Sequence, residues 1–204
     1  MTKQPAAAKG VTRFPILSPT QLSKEQAALI KSLLAGPRGG GESVAAATKR
    51  MLTGGPFNAW LRSPLLGERL QKVGEYIRFN SSLPQHLNEL AILVTARYWT
   101  SQYEWYAHLI LALKAGLDPK IAATLAQNKR PTKMKKDEAA VYDFCTQLHR
   151  KKNVSDAIYQ RAVALFGEQG VMDLIGACGY YTAVSMTLNV ARVALPAGEK
   201  KPLK

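Results

Sequence analysis

The sequence predicts an all-α protein, and three observations carry that expectation. Apolar residues recur at three- and four-residue intervals, as in Leu65, Leu66, Leu70, Val73 and Ile77. Helix-opening signals alternate with Gly- and Pro-rich breaks along most of the chain. No run alternates apolar with polar residues, and no Asn-Gly or Asp-Gly pair joins two Val/Ile-rich runs, so the signals of strands and hairpins are missing. About eight helices are expected.

Residues 1–18 read as an extended arm. Ser23-Lys24-Glu25-Gln26 is a capping box, in which serine and glutamine satisfy each other's backbone N–H, and it opens a helix that stops near Gly36-Pro37. Residues 36–42, GPRGGGE, form a Gly-rich connection. They lack the Gly-Lys-Ser/Thr ending of a phosphate-cradling loop, so a mobile connection is the expected reading. Gly54-Gly55-Pro56 is a second break. Ser63-Pro64 then starts a helix to about Phe79, with proline in the first turn, where its missing N–H costs nothing.

A turn from Asn80 to Pro84 leads into a helix from Gln85, and a bend is expected around Trp99-Thr100-Ser101. The next helix spans about Gln102 to Lys114 and stops at Gly116; Asp118-Pro119 opens another, to about Gln127. After a basic loop, Asp137-Glu138 opens a helix to about Lys151, and Ser155-Asp156 opens one ending at Gly167. The last runs from roughly Glu168 to Ala194. Its apolar stretch contains Asp173, Asn189 and Arg192, so it reads as a buried core helix and not as a membrane span. The organisation is thus one helical domain over residues 19–196 and a basic tail over 197–204.

The net charge is +14, from 28 Lys+Arg against 14 Asp+Glu. Such a balance suits anionic metabolites, nucleic acid or an anionic surface. The densest run, Lys129 to Lys136, carries no interleaved aromatic or base-reading residues, so a solvated loop is expected and no specific nucleic-acid partner. Cys145 and Cys178 form no CxxC and read as small core residues. His86, His108 and His149 are too scattered for a zinc motif, so neither metal nor cofactor is expected. The cysteine usage fits a reducing cytoplasm, and the N-terminus has no apolar stretch of the secretory kind.

The segment richest in chemistry is ELAILVTARYWTSQYEWYAH, Glu89 to His108. At about 100° per residue, Ser101, Glu104 and His108 share one helical face, and a carboxylate one turn from an imidazole can exchange a proton. Ser101-x-x-Glu104 is equally a capping box, with Glu104 and His108 an ordinary surface pair, and the residues alone leave both readings open. Glu89 lies among apolar neighbours on the preceding helix. Arg97 could pair with it or with an anionic substrate, or simply end that helix in solvent. Tyr103 and its aromatic neighbours belong to a core or to a ligand wall, and Tyr180 and Tyr181 could line the same cavity.

At these residues the chain resembles the carboxymuconolactone decarboxylase family, which includes the alkylhydroperoxidase D-like proteins. The resemblance rests on ELAILVTAR, YWTSQYEWYAH and ALKAGLDPKI, with GPFNAWLRSPLLGERL and GYYTAVSMTLNVARVALP as flanks, and covers about residues 15–196. It implies an alkylhydroperoxidase D-like helical bundle and a homo-oligomer, commonly a trimer or hexamer. The peroxidase branch uses Cys-x-x-Cys-x-x-x-His with an acid twelve residues before the first cysteine. Here those positions are Ser101, Glu104, His108 and Glu89, so both thiols are missing and dithiol peroxide reduction is not implied. The decarboxylase branch's Glu-x-x-x-His matches Glu104 to His108. It implies Glu104 and His108 as acid–base residues and Glu89 as a supporting acid; Ser101, Arg97 and Tyr103 are the candidate substrate-binding residues beside them. The expected function is a cofactor-free lyase acting on a small carboxylated lactone or a related intermediate of aromatic degradation. The alternative is a non-catalytic or peroxidase-related small-molecule binding member of the same family that lacks the redox dithiol.

Overall fold

A computed structural model describes residues 12–204, and nine helices and no strand are found among them. They are α1 (Lys24–Ala35), α2 (Val44–Thr53), α3 (Phe57–Trp60), α4 (Pro64–Phe79), α5 (Gln85–Tyr98), α6 (Gln102–Lys114), α7 (Pro119–Ala126), α8 (Lys136–Lys151) and α9 (Asp156–Ala191). The all-α expectation is met, and most boundaries fall within a few residues of those read from the sequence. The Ser23/Gln26 capping box is formed, with Ser23 N donating to Gln26 Oε1 at 2.9 Å and Gln26 N to Ser23 Oγ at 3.3 Å. Ser63, by contrast, makes no side-chain cap to α4. Gly167, at φ +67°, kinks α9 where two helices were expected to meet.

Helix α5 is the centre of the molecule, packed between α6, α8 and α9. Every residue from Leu87 to Ala96 is buried. A helix buried on all sides is apolar nearly all round, and its polar exceptions must find partners. Asn88 Nδ2 donates to the Ile77 carbonyl, and Thr95 Oγ1 donates to the Ala91 carbonyl. Glu89 is the remaining exception, and its partners define the site described below.

The α5–α6 bend comes where the sequence predicts it. Thr100 adopts φ +47°, a left-handed conformation that costs energy for a β-branched residue. Neighbours hold the bend in place: Trp99 Nε1 donates to Thr182 Oγ1, and Asn189 Nδ2 donates to the Trp99 carbonyl. Asn189 is exposed, so its hydrogen bond serves this bend and not a buried polar network.

Residues 1–11 of the expected arm lie outside the described residues. The remainder of the arm has little regular structure but is fastened. Arg13 N donates to the Ala191 carbonyl at 2.8 Å, and Leu17 N to Asn58 Oδ1 at 3.2 Å. The tail is fastened as well: Gln102 donates to the Leu203 carbonyl and accepts from Leu203 N, and the Leu203 side chain is buried. In the basic loop, Arg130 makes a two-point ion pair with Asp143, which Arg161 also joins. Among the described residues no helix is long and apolar enough to cross a membrane.

Candidate functional site

Helices α5 and α6, antiparallel across the bend, bring Glu89, Glu104 and His108 together. His108 Nδ1 lies 2.7 Å from Glu89 Oε2, and its Nε2 lies 3.1 Å from Glu104 Oε1. Glu89 is fully buried, while Glu104 and His108 are 4% and 6% exposed. Carboxylates this deep are costly unless paired. Glu89 meets the requirement twice, because Gln85, one turn back on α5, donates to its other oxygen at 2.8 Å.

The imidazole responds to competing forces. Burial alone would push its pKa down. The adjacent carboxylates of Glu89 and Glu104 outweigh that and raise it to about 9. His108 is therefore an imidazolium near neutral pH, with each ring nitrogen facing a carboxyl oxygen. The ring of Tyr181 stands edge-on to it at 4.9 Å, and burial pushes the Tyr181 phenol well above its usual range.

Glu104 and His108 line a cavity of about 430 Å³, and Glu89 stands behind them. Tyr103, Phe57, Tyr180, Tyr181 and Val184 contribute to its wall, together with Arg38, Arg50 and Arg78. Gly54 makes room for Tyr103, since a Cβ there would fall 2.4 Å from the Tyr103 hydroxyl. Arg50 is already engaged with Glu42 and the Arg38 carbonyl. The guanidinium groups left for an anion are those of Arg38 and Arg78.

The other candidates fall elsewhere. Ser101 is the residue before α6, but its hydroxyl caps nothing and is buried without a partner. The capping-box reading fails because Glu104 turns to His108. Ser101 does not line the cavity, so it is not placed to touch a substrate there. Arg97 likewise lies away from this cavity. It lies eight residues beyond Glu89, about 80° round the helix. Its guanidinium donates to Thr100 Oγ1 and to the Lys204 carbonyl, beside a separate small cavity with Tyr98 and His149. It braces the bend and the tail. Cys145 and Cys178 are buried next to one another, with His149 and Thr95 beside Cys178, and neither lines the cavity. Among the described residues no cluster of His, Cys, Asp and Glu is arranged to hold a metal.

Three contributors escaped the sequence reading. Gln85 could have been found as a hydrogen-bonding residue one turn from Glu89 on the same face. Arg38 and Arg78 carried no comparable signal, since one sits in a Gly-rich loop and the other at an ordinary basic helix end. No protein-family model, curated protein or solved structure matches the chain.

Proposed function

We propose that the chain is a cofactor-free lyase of the carboxymuconolactone decarboxylase type, acting on a small carboxylated lactone or related intermediate by acid–base chemistry. The observation that carries this reading is the His108 imidazole clamped between two buried carboxylates at the wall of an arginine-lined cavity. In the proposed reaction the substrate's C–CO2 bond breaks and its electron pair remains as a dienolate. His108, an acid near neutral pH, passes its Nε2 proton through the cavity-lining Glu104 to carbon as CO2 leaves, and a proton from water restores the imidazolium. Glu89 touches no substrate. It fixes the ring and supports its positive charge, as the carboxylate behind a catalytic imidazole does in other acid–base systems.

A homo-oligomer is part of the same proposal. Exposed apolar side chains on α4 (Leu65, Leu66, Val73) and α9 (Met172, Met186, Val190) support it, because a monomer gains nothing from leaving them wet. Light scattering on the purified protein reads the mass directly.

The deciding experiment is turnover of carboxymuconolactone and related lactones by the purified protein, beside His108→Ala and Glu104→Gln. Loss of a direct proton-transfer group typically costs about 10²–10⁴ in rate. Wild-type rates in both variants would remove these residues from the mechanism.

A further inference from the structure

Arg38 is placed at a cost that its protein neighbours do not offset. Its Nε and Nη2 are sealed from solvent without a hydrogen-bond partner, and it enters no ion pair among the described residues. Burial pulls its pKa below the usual arginine range, and the charge of Arg78 acts in the same direction. Its contacts are aromatic: Phe57 and Phe79 flank the guanidinium at 5.9 and 5.8 Å from their ring centroids. Such contacts hold a guanidinium in place without supplying an acceptor for its donors.

The surroundings are shaped for that fork. A Cβ on Gly74 would fall 2.0 Å from the Tyr180 hydroxyl and 2.8 Å from Arg38 Nη2. Both groups therefore converge over one bare backbone position of α4. Burial raises the Tyr180 phenol to about 12, so it remains a hydrogen-bond donor. Arg78 lines the same cavity. Two guanidinium groups that enter no ion pair among the described residues, with a phenol beside them, form an incomplete set, and a planar, two-oxygen anion completes it.

We infer that Arg38, supported by Tyr180 and Arg78, is the seat for a carboxylate of the ligand and sets the site's preference for carboxylates over neutral molecules of the same shape. The inference rests on reading this cavity as the substrate site. A group held by a guanidinium is stabilised where it lies, so the seat anchors the ligand and leaves its other end to Glu104 and His108.

The test is calorimetric titration of the full-length protein with benzoate and with benzamide in phosphate-free buffer. Benzoate is expected to bind the wild type about tenfold or more tighter than its amide, the difference a charge-assisted fork makes. Arg38→Met is expected to erase that preference. If this variant does not fold, Arg38→Lys is read instead. It keeps the charge and loses the fork, and most of the preference should go with it. Equal binding of acid and amide by the wild type, binding of neither, or a preference that survives in a folded Arg38 variant would each overturn the inference. The lyase reading fails separately: an Arg38-dependent carboxylate preference with no turnover of any lactone leaves the seat and removes the reaction.

Discussion

His108 Nδ1 sits 2.7 Å from Glu89 Oε2, so a residue of α6 is anchored to the fully buried acid of α5. With Glu104 on the ring's other nitrogen, the imidazole is held between two acids. The arrangement places a charged imidazole at the cavity wall and an acid behind it. The same contact joins the two helices, so it bears on stability as well as on chemistry.

The stability consequence has a definite sign. His108 titrates near 9 when folded and near its ordinary 6.5 when unfolded. A raised pKa means the folded state holds the proton more tightly. The stabilisation is complete below about pH 6.5 and disappears as pH rises through about 9. It is on the order of 3 kcal/mol. Urea unfolding at pH 6 and pH 10 should show a larger fall for wild type than for His108→Gln. Equal falls would mean the imidazole is not held as an imidazolium.

Glu89→Gln tests the role of the acid that lies behind the ring. Removing one flanking carboxylate takes away part of what raises His108, so its pKa should drop by about one unit or more. If His108 is the acid in turnover, the alkaline limb of the kcat profile shifts to lower pH by the same amount. Glu104→Gln should shift that limb as well, and, at a residue lining the cavity, should also depress kcat across the whole range. A Glu89→Gln profile that keeps its shape would make Glu89 a purely structural residue.

Local signals made the scaffold readable. Ser23 with Gln26, Asp118-Pro119 and the change of pattern at Trp99 to Ser101 each mark a boundary through chemistry within one helical turn. The Glu104/His108 pair was visible for the same reason, being an i,i+4 relation. Ser101 shows where local reasoning stops: its spacing fits a cap, yet the carboxylate that would complete the box is drawn to His108, on the other side of the turn. Arg38 was beyond reach because its environment is assembled by α3, α4 and α9. Nothing in GPRGGGE indicates that Phe57, Phe79 and Tyr180 will meet there.

Asp173 shows a buried acid in a purely architectural role. It accepts from Ser82 N and Ser82 Oγ at 2.7 Å each, from Tyr76 Oη at 3.1 Å and from Ser81 Oγ at 3.3 Å. These bonds tie α9 to the turn that sets the start of α5, and therefore the depth of Glu89. Asp173→Ala strands several donors and should cost about 3 kcal/mol in urea unfolding. Asp173→Asn retains part of the acceptor set and should cost less. A loss below about 1 kcal/mol for the alanine variant would mean that water replaces the carboxylate freely.

Gly74 gives the sharpest steric prediction. A methyl group there meets the Tyr180 hydroxyl at 2.0 Å and the Arg38 guanidinium at 2.8 Å, both closer than atoms can approach. Helix α4 is regular at this point and gains from alanine by propensity, by about 1 kcal/mol. Forced repacking works against that gain and typically costs about 1–3 kcal/mol. Gly74→Ala should therefore be neutral to destabilising in thermal unfolding, where a free helical glycine would be stabilised. Because the Tyr180 ring carbon Cζ clashes as well, at 2.3 Å, Tyr180→Phe should recover little stability in the Gly74→Ala background, whereas the shorter Tyr180→Leu should cost less there than it does in the wild type. A Gly74→Ala protein more stable than wild type would show that Tyr180 and Arg38 do not rest against this backbone.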